Sequence, residues 1–315
     1  MTHSENNNET SYFSVIIACH YEEKSIMEFH ERLSGALKNL NQSYEIIFVN
    51  DGSTDRTFDL LKEIFNKDKK VSRVINLFKN AGQGAAVTAG AVHARGKHFI
   101  LMDSDLQLAP EELPLLVKEF EKGFDVVSGY RKERKDTLYR TLPSKIANFI
   151  MRKLSKSDLT DFGCTFKIFN GKLVRAFHLS PLKLFNPVYI IGQAQKCTEV
   201  PVSHFPRKYG KSGWSFKKLM EYNMENFIGL FTKAFQIIGF WSIVIAVLLI
   251  LRTIVDLFYS FKIFSNIFNG LLLIAILFSM FVTLMMLCLI GEHLVRVFSV
   301  SQKNPKYVIK EMLTR

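Results

Sequence analysis

Through the first 130 residues, short apolar runs alternate with longer amphipathic stretches. Residues 13–19 form a run rich in β-branched side chains, a polar turn follows, and residues 24–40 carry helical periodicity. Residues 44–49 repeat the run and end in Asn50-Asp51-Gly52-Ser53-Thr54-Asp55, a turn whose Thr54 or Asp55 can cap a helix over 56–65. A third unit joins the run 71–77, through the loop 80–84, to a small-residue helix over 85–94. The fourth run, 98–101, leads into Met102-Asp103-Ser104-Asp105-Leu106-Gln107, and then into a helix opened by Pro110 with Glu111 and Glu112 in its first turn. A further strand is expected at 125–130. This alternation predicts an α/β fold on a mainly parallel sheet with right-handed crossovers, whose strand-end loops carry the chemistry.

Beyond residue 213 the pattern changes. Residues 214–233 interleave aromatic and aliphatic positions with Lys217, Lys218, Glu221 and Glu225, the mark of an amphipathic interfacial helix, a partner-facing helix being the alternative. Residues 234–251 are uncharged and apolar, and the pattern continues to about 259; residues 271–290 repeat it. Each stretch is long enough to cross a hydrocarbon core of about 30 Å, so a hairpin is expected, with spans at 234–259 and 268–291. Arg252 and Asp256, four apart near the end of the first span, are placed to pair at the interface. Basic residues lie on the outer flanks of the hairpin, Lys211, Lys217, Lys218 and Lys233 before it and Arg296, Lys303, Lys306, Lys310 and Arg315 after it, against Lys262 between the spans. That asymmetry predicts a multi-pass protein of the inner, cytoplasmic membrane, with the large domain and both termini in the cytoplasm. The expected organisation is a disordered polar tail over 1–11, an α/β domain over 12–213, the interfacial helix, the hairpin, and a basic tail over 292–315.

Composition adds two points. The net charge of +12 suits an anionic membrane surface and anionic substrates; with no nucleic-acid motif in the chain, no nucleic-acid partner is expected. Cys19, Cys164, Cys197 and Cys288 are far apart without a C-x-x-C pair, so each reads as a buried thiol in a reducing compartment.

The candidate chemistry lies at the strand ends. Asp103 and Asp105 are two apart where a strand frays, so both carboxylates can turn toward one point in the crevice of an open α/β sheet. A magnesium or manganese ion there would bridge them to a diphosphate; the bland alternative is a turn and helix cap. Arg131, Lys132, Arg134, Lys135 and Arg140 form a basic loop beside that point, an anion-binding element or a solvated loop. A second basic loop, 205–214, offers Arg207 and Lys211 to phosphate oxygens. Asp161-Phe162-Gly163-Cys164 precedes another apolar run, and Asp161 is a candidate for orienting substrate or for bracing its loop.

These motifs together resemble the polyprenyl-phosphate glycosyltransferases, inverting nucleotide-diphosphosugar enzymes of the GT-A fold related to dolichol-phosphate mannose synthase. The resemblance runs from about residue 13 to 308. It is carried by Asp51-Gly52-Ser53-Thr54-Asp55, by Asp103-Ser104-Asp105-Leu106-Gln107, by the loop 207–212 and by Ile290-Gly291-Glu292-His293-Leu294-Val295-Arg296. Asp161-Phe162-Gly163-Cys164 with Tyr209-Gly210-Lys211-Ser212 looks closest to the bacterial undecaprenyl-phosphate branch, which includes the aminoarabinose transferases. The resemblance implies a GT-A domain over 12–213. It implies a metal and diphosphate site at Asp103, Asp105 and Gln107, with Mg2+ or Mn2+, and catalytic roles for Asp103, Asp105, Asp161 and Arg131. Ala18, His20, Glu22, Asp51, Gln83, Ser104 and Asp105 would hold the nucleotide sugar, a UDP-sugar for preference, and Arg131, Arg134, Arg207, Lys211 and Ser212 the phosphates. The implied partners are a nucleotide-diphosphosugar, polyprenyl (undecaprenyl) phosphate, the lipid bilayer and a second copy of the chain, as dimer or tetramer. The implied product is a lipid-linked sugar for cell-envelope glycan or lipid A modification. Two departures stand out: Ala18-Cys19-His20-Tyr21-Glu22 where the family has Pro-x-Tyr-Asn-Glu, and Asn50 where it often has a second Asp. The competing readings are a non-catalytic membrane scaffold or lipid-flipping partner that keeps the fold, and a processive polysaccharide synthase. The latter resembles the chain less, for want of Gln-x-x-Arg-Trp and further spans.

Overall fold

The computed structural model describes residues 11–132, 151–152, 155–209 and 304–315, together with scattered residues between 241 and 294. The chain divides into two compact units, one of Met1–Met220 with Pro305–Arg315 and one of Glu221–Asn304.

The first unit is built on an eight-stranded sheet. The chain runs β1 (Ser11–Cys19), α1 (Ile26–Lys38), β2 (Tyr44–Asn50), α2 (Thr57–Lys67), β3 (Val71–Leu77), α3 (Gln83–Val92) and β4 (Gly96–Asp103). A 3-10 turn, Pro110–Glu112, opens α4 (Leu113–Phe120), followed by β5 (Val126–Arg131), β6 (Lys167–Asn170), α5 (Gly171–Ala176), α6 (Pro187–Ile191), β7 (Cys197–Val202) and β8 (Ile309–Thr314). The strand order is β7-β5-β6-β4-β1-β2-β3-β8, parallel except that β6 runs against β4 and β5, and β8 against β3. The expected α/β architecture is present.

Strand residues alternate between two buried faces. Val15, Ile17, Ile46 and Phe48 pack with Phe29, Leu33 and Leu61 from α1 and α2, while Ile47, Val49 and Ile75 pack with Ala85, Ala86 and Ala89 of α3. A parallel sheet covered on both sides needs such continuous apolar runs. The small residues of α3 let it lie close: a Cβ at Gly90 would come within 2.5 Å of Ile16 Cγ2.

Two expectations change here. The segment 292–315 was read as a tail, yet Ile309–Thr314 pairs antiparallel with β3, in the register Arg73↔Thr314 to Leu77↔Ile309. Its short, charged pattern hid an edge strand, because charges are what keep such an edge from pairing further. Of the four thiols, Cys19 and Cys164 are buried, Cys197 is half-buried and Cys288 is exposed.

Most of residues 214–303 lie outside the described residues, the interfacial helix among them. Those that are described between 241 and 294 are helical, and several expose large apolar side chains, including Phe278, Phe281, Leu287 and Leu294. Among the described residues no helix is long and apolar enough to cross a membrane.

Candidate active site

Register places the site. Ala18 pairs with Asp103 across β1 and β4, and Cys19 with Asn50 across β1 and β2, so these strands end together. The order reverses on either side of β1, which opens the crevice where such sheets take ligands.

Asp103 ends β4. Its Oδ1 accepts from Gln83 Nε2 at 2.6 Å and its Oδ2 from Thr165 Oγ1 at 2.7 Å. Asp105 Oδ2 accepts from Arg207 Nη2 at 2.7 Å and its Oδ1 from the Gln107 N–H at 3.1 Å. Between them the buried Leu106 takes a left-handed φ of 60°, which turns the chain sharply at a cost of about 1–2 kcal/mol. Burial and then the neighbouring Asp105 push the Asp103 carboxyl up to about 6. Two carboxylates that repel one another in a partly dry crevice are hard oxygen ligands suited to a divalent cation. Among the described residues no three His, Cys, Asp or Glu side chains gather.

The second basic loop docks on this turn. Phe205 N–H donates to Gln107 O at 2.9 Å, Ser203 Oγ donates to Glu112 at 2.6 Å, and Lys208 pairs with Glu28 at 2.8 Å. Arg207 is thereby delivered to Asp105. The Gln107 side-chain N–H donates to Phe205 O at 3.5 Å, which ties the acidic turn to this loop.

Asp161 and Arg131 form a two-pronged ion pair, Nε to Oδ2 at 2.7 Å and Nη2 to Oδ1 at 2.8 Å. Asp161 is buried and Arg131 mostly so. Fork-to-fork geometry fixes the guanidinium plane.

Asp51 braces the adjoining loop, accepting from the Ala81 and Gly82 N–H groups at 2.7 and 2.9 Å. Gly52 beside it has φ +66°, and a Cβ there would meet Lys79 C at 2.3 Å, so only glycine fits. Asn50 donates to Asn76 Oδ1 at 2.9 Å, which an aspartate could not do. Ser104 is buried and bonds Ala18 O at 3.4 Å, stapling two strand ends. His20 stacks edge-on against Tyr21, with ring centroids 4.4 Å apart. Glu22 lines a cleft of about 230 Å³ with Tyr21, Lys24, Ser25, Asp55 and Tyr209. Burial pushes its carboxyl up to about 7, against the pull of the Ser25 hydroxyl; Asp105 and Arg207 also act on it, in opposite directions.

The structure thus brings together Asp103, Asp105, Gln83 and Arg207, and separately Asp161 and Arg131. Arg134, Lys211 and Ser212 lie outside the described residues. Sequence reasoning passed over Thr165, Lys167 and Glu199. The available signal was a lysine inside the apolar run Phe166-Lys167-Ile168-Phe169.

The profile of glycosyl transferase family 2 matches residues 14–179. The undecaprenyl-phosphate 4-deoxy-4-formamido-L-arabinose transferase of Photorhabdus laumondii is 32% identical over 309 residues, which cover 95% of this chain and 94% of that protein. The protein of the same name from Proteus mirabilis is 32% identical, with 95% and 93% covered. Among solved structures, glucosyl-3-phosphoglycerate synthase from Mycobacterium tuberculosis with phosphoglyceric acid aligns at a TM-score of 0.49 and 15% identity, over 70% of this chain and 79% of that one. With a profile match over more than half its length and relatives alike over nearly all of it, the chain belongs to glycosyl transferase family 2 and is a glycosyltransferase.

Proposed function

We propose that the protein moves a sugar from a nucleotide diphosphosugar, a UDP-sugar for preference, to polyprenyl phosphate of the undecaprenyl class, making a lipid-linked sugar for cell-envelope or lipid A modification. The observation that carries the reading is one crevice edged by Asp103 and Asp105, with Arg207 on the pair and the Asp161–Arg131 fork on the segment that also bonds Asp103 through Thr165. The names of the relatives supply the acceptor class.

An acceptor phosphate oxygen attacks the anomeric carbon, the bond from that carbon to the diphosphate oxygen breaks, and its electron pair leaves on the nucleoside diphosphate with inversion. The acceptor is already ionised near neutral pH, so no general base is required and catalysis is positioning plus charge neutralisation. Magnesium or manganese, held by Asp103 and Asp105, would neutralise charge on the departing diphosphate. Arg207 would hold the diphosphate beside the pair, and Arg131, fixed by Asp161, would hold the acceptor phosphate.

The lipid acceptor calls for a membrane, and we place the protein in the inner membrane with its large unit cytoplasmic. Supporting this are the apolar stretches at 234–259 and 268–291, the exposed apolar side chains of the described helical residues there, and the return of the chain to β8. A hairpin of two crossings is in keeping with residues on both sides of 221–304 belonging to one unit. The test is transfer of radiolabel from UDP- and GDP-sugars to undecaprenyl phosphate by detergent-solubilised protein, with and without magnesium or manganese. A labelled lipid that requires metal is expected; no labelled lipid from any donor, in folded protein, refutes the reading.

A further inference from the structure

Lys167 sits on β6 with Leu101 of β4 on one side and Ser128 of β5 on the other, and Ser128 pairs in turn with Glu199 of β7. Leu101, Lys167, Ser128 and Glu199 therefore form one row across four strands. Lys167 is 2% exposed in the middle of an apolar sheet. Its ammonium donates to the carbonyl oxygens of Phe162, at 3.3 Å, and Cys164. At the end of the row, Glu199 accepts from the Thr160 N–H at 2.7 Å, the Thr160 hydroxyl at 2.7 Å and the Asp161 N–H at 2.9 Å. The segment 160–165 is held at both ends.

That segment carries two contacts that matter to the site, Asp161 on Arg131 and Thr165 on Asp103. Stability is a poor reason for a lysine at position 167. A buried ion can often be exchanged for a well-packed apolar side chain without loss of stability, and an ammonium hydrogen-bonded to carbonyl oxygens rather than to a carboxylate is costly to bury. We propose that Lys167 and Glu199 are positioning residues that clamp the segment 160–165 and so set the acceptor-side guanidinium of Arg131 relative to the donor-side carboxylate of Asp103. The proposal rests on the transferase reading above.

Lys167→Met keeps the length of the side chain and removes the donor; Lys167→Arg keeps donor and charge; Glu199→Leu keeps most of the volume and removes both acceptor oxygens. Two readouts decide. In steady-state transfer, Lys167→Met is expected to lose about a hundredfold in kcat/KM, the scale of a small misplacement, with an unchanged Tm. Lys167→Arg should restore most of that loss. Glu199→Leu should raise KM for polyprenyl phosphate and leave KM for the nucleotide sugar unchanged. In hydrogen exchange on the full chain, Glu199→Leu should lose protection at the Thr160 and Asp161 amides while β1 and β4 keep theirs. Wild-type transfer by Lys167→Met, absence of rescue by arginine, or equal shifts of both KM values overturns the proposal. Should no donor yield a lipid product, the transferase reading fails by itself, and unchanged exchange at Thr160 and Asp161 overturns the clamp. Should Lys167→Met fail to fold, Glu199→Leu decides by the same two readouts.

Discussion

Carboxylates sit at both ends of the central strands, and the two ends use them differently. At the start of β2, Glu45 accepts from the Ser14 hydroxyl and the Arg95 N–H, both at 2.6 Å, and pairs with Arg73 at 3.4 Å, where both side chains are under 8% exposed. Ser14 also accepts from the Gly96 N–H at 2.8 Å, so the group ties β1, β2, β3 and the start of β4 together. At the other end of β4, Asp103 and Asp105 draw their donors from loops and a helix start, through Gln83, Thr165 and Arg207. Donors fixed in strands and backbone make a carboxylate into a brace. Donors on side chains that reach in from loops make one that can exchange partners when an anionic substrate arrives.

The largest effect that would break this comparison is at Asp105. Asp105→Asn should cut transfer about a thousandfold or more, on the order of 4 kcal/mol of barrier, and leave the Tm within a few degrees. Near-wild-type kcat/KM would remove the metal-site assignment. Glu45→Gln should do the reverse, costing about 3 kcal/mol in denaturant unfolding by leaving Arg73 buried without its counter-ion, with kcat of the folded enzyme unchanged. An activity loss at Glu45 without a stability loss would erase the distinction between the ends.

Arg207→Ala should raise KM for the nucleotide sugar about tenfold, since a charge-assisted bond to the diphosphate is worth about 1.5–3 kcal/mol and part is recovered by solvent. A change in KM for the lipid alone would move Arg207 to the acceptor side. The smallest effect is a pH dependence. The folded-state pKa of Glu22, about 7, lies above its ordinary value of 4.5, so between these values the folded state binds more protons than the unfolded. That contribution to stability is fully present below about 4.5 and is lost as pH rises to about 7. Glu22→Gln should flatten this part of the Tm profile measured from pH 4 to 8; an unaltered slope would place the titration elsewhere.

Much of the donor side was legible because it is local. Asp103, Ser104, Asp105 and Gln107 share one turn, and a turn between an apolar run and a helix opened by Pro110 is visible in neighbouring residues alone. Arg207 could be nominated as a basic residue in a glycine-containing loop, but its partner could not, being 102 positions away. The motif nominates Gln107, but not the bond from its side-chain N–H to Phe205 of the second basic loop, 98 positions away. Glu199 was invisible because its contacts with Thr160 and Asp161 depend on a parallel pairing of β5 with β7, which no local pattern announces.

The sequence by itself determined the alternating strands and helices, the apolar stretches of the second unit, and the acidic turn, because periodicity and turn chemistry act over a few residues. Tertiary structure alone decided which donors meet the two carboxylates, that Asp161 binds Arg131, that a buried lysine underlies their segment, and that the chain returns as β8 to the edge of the sheet. These are contacts between residues far apart in the chain, set by strand order and register, and register is chosen by the packing of the whole sheet.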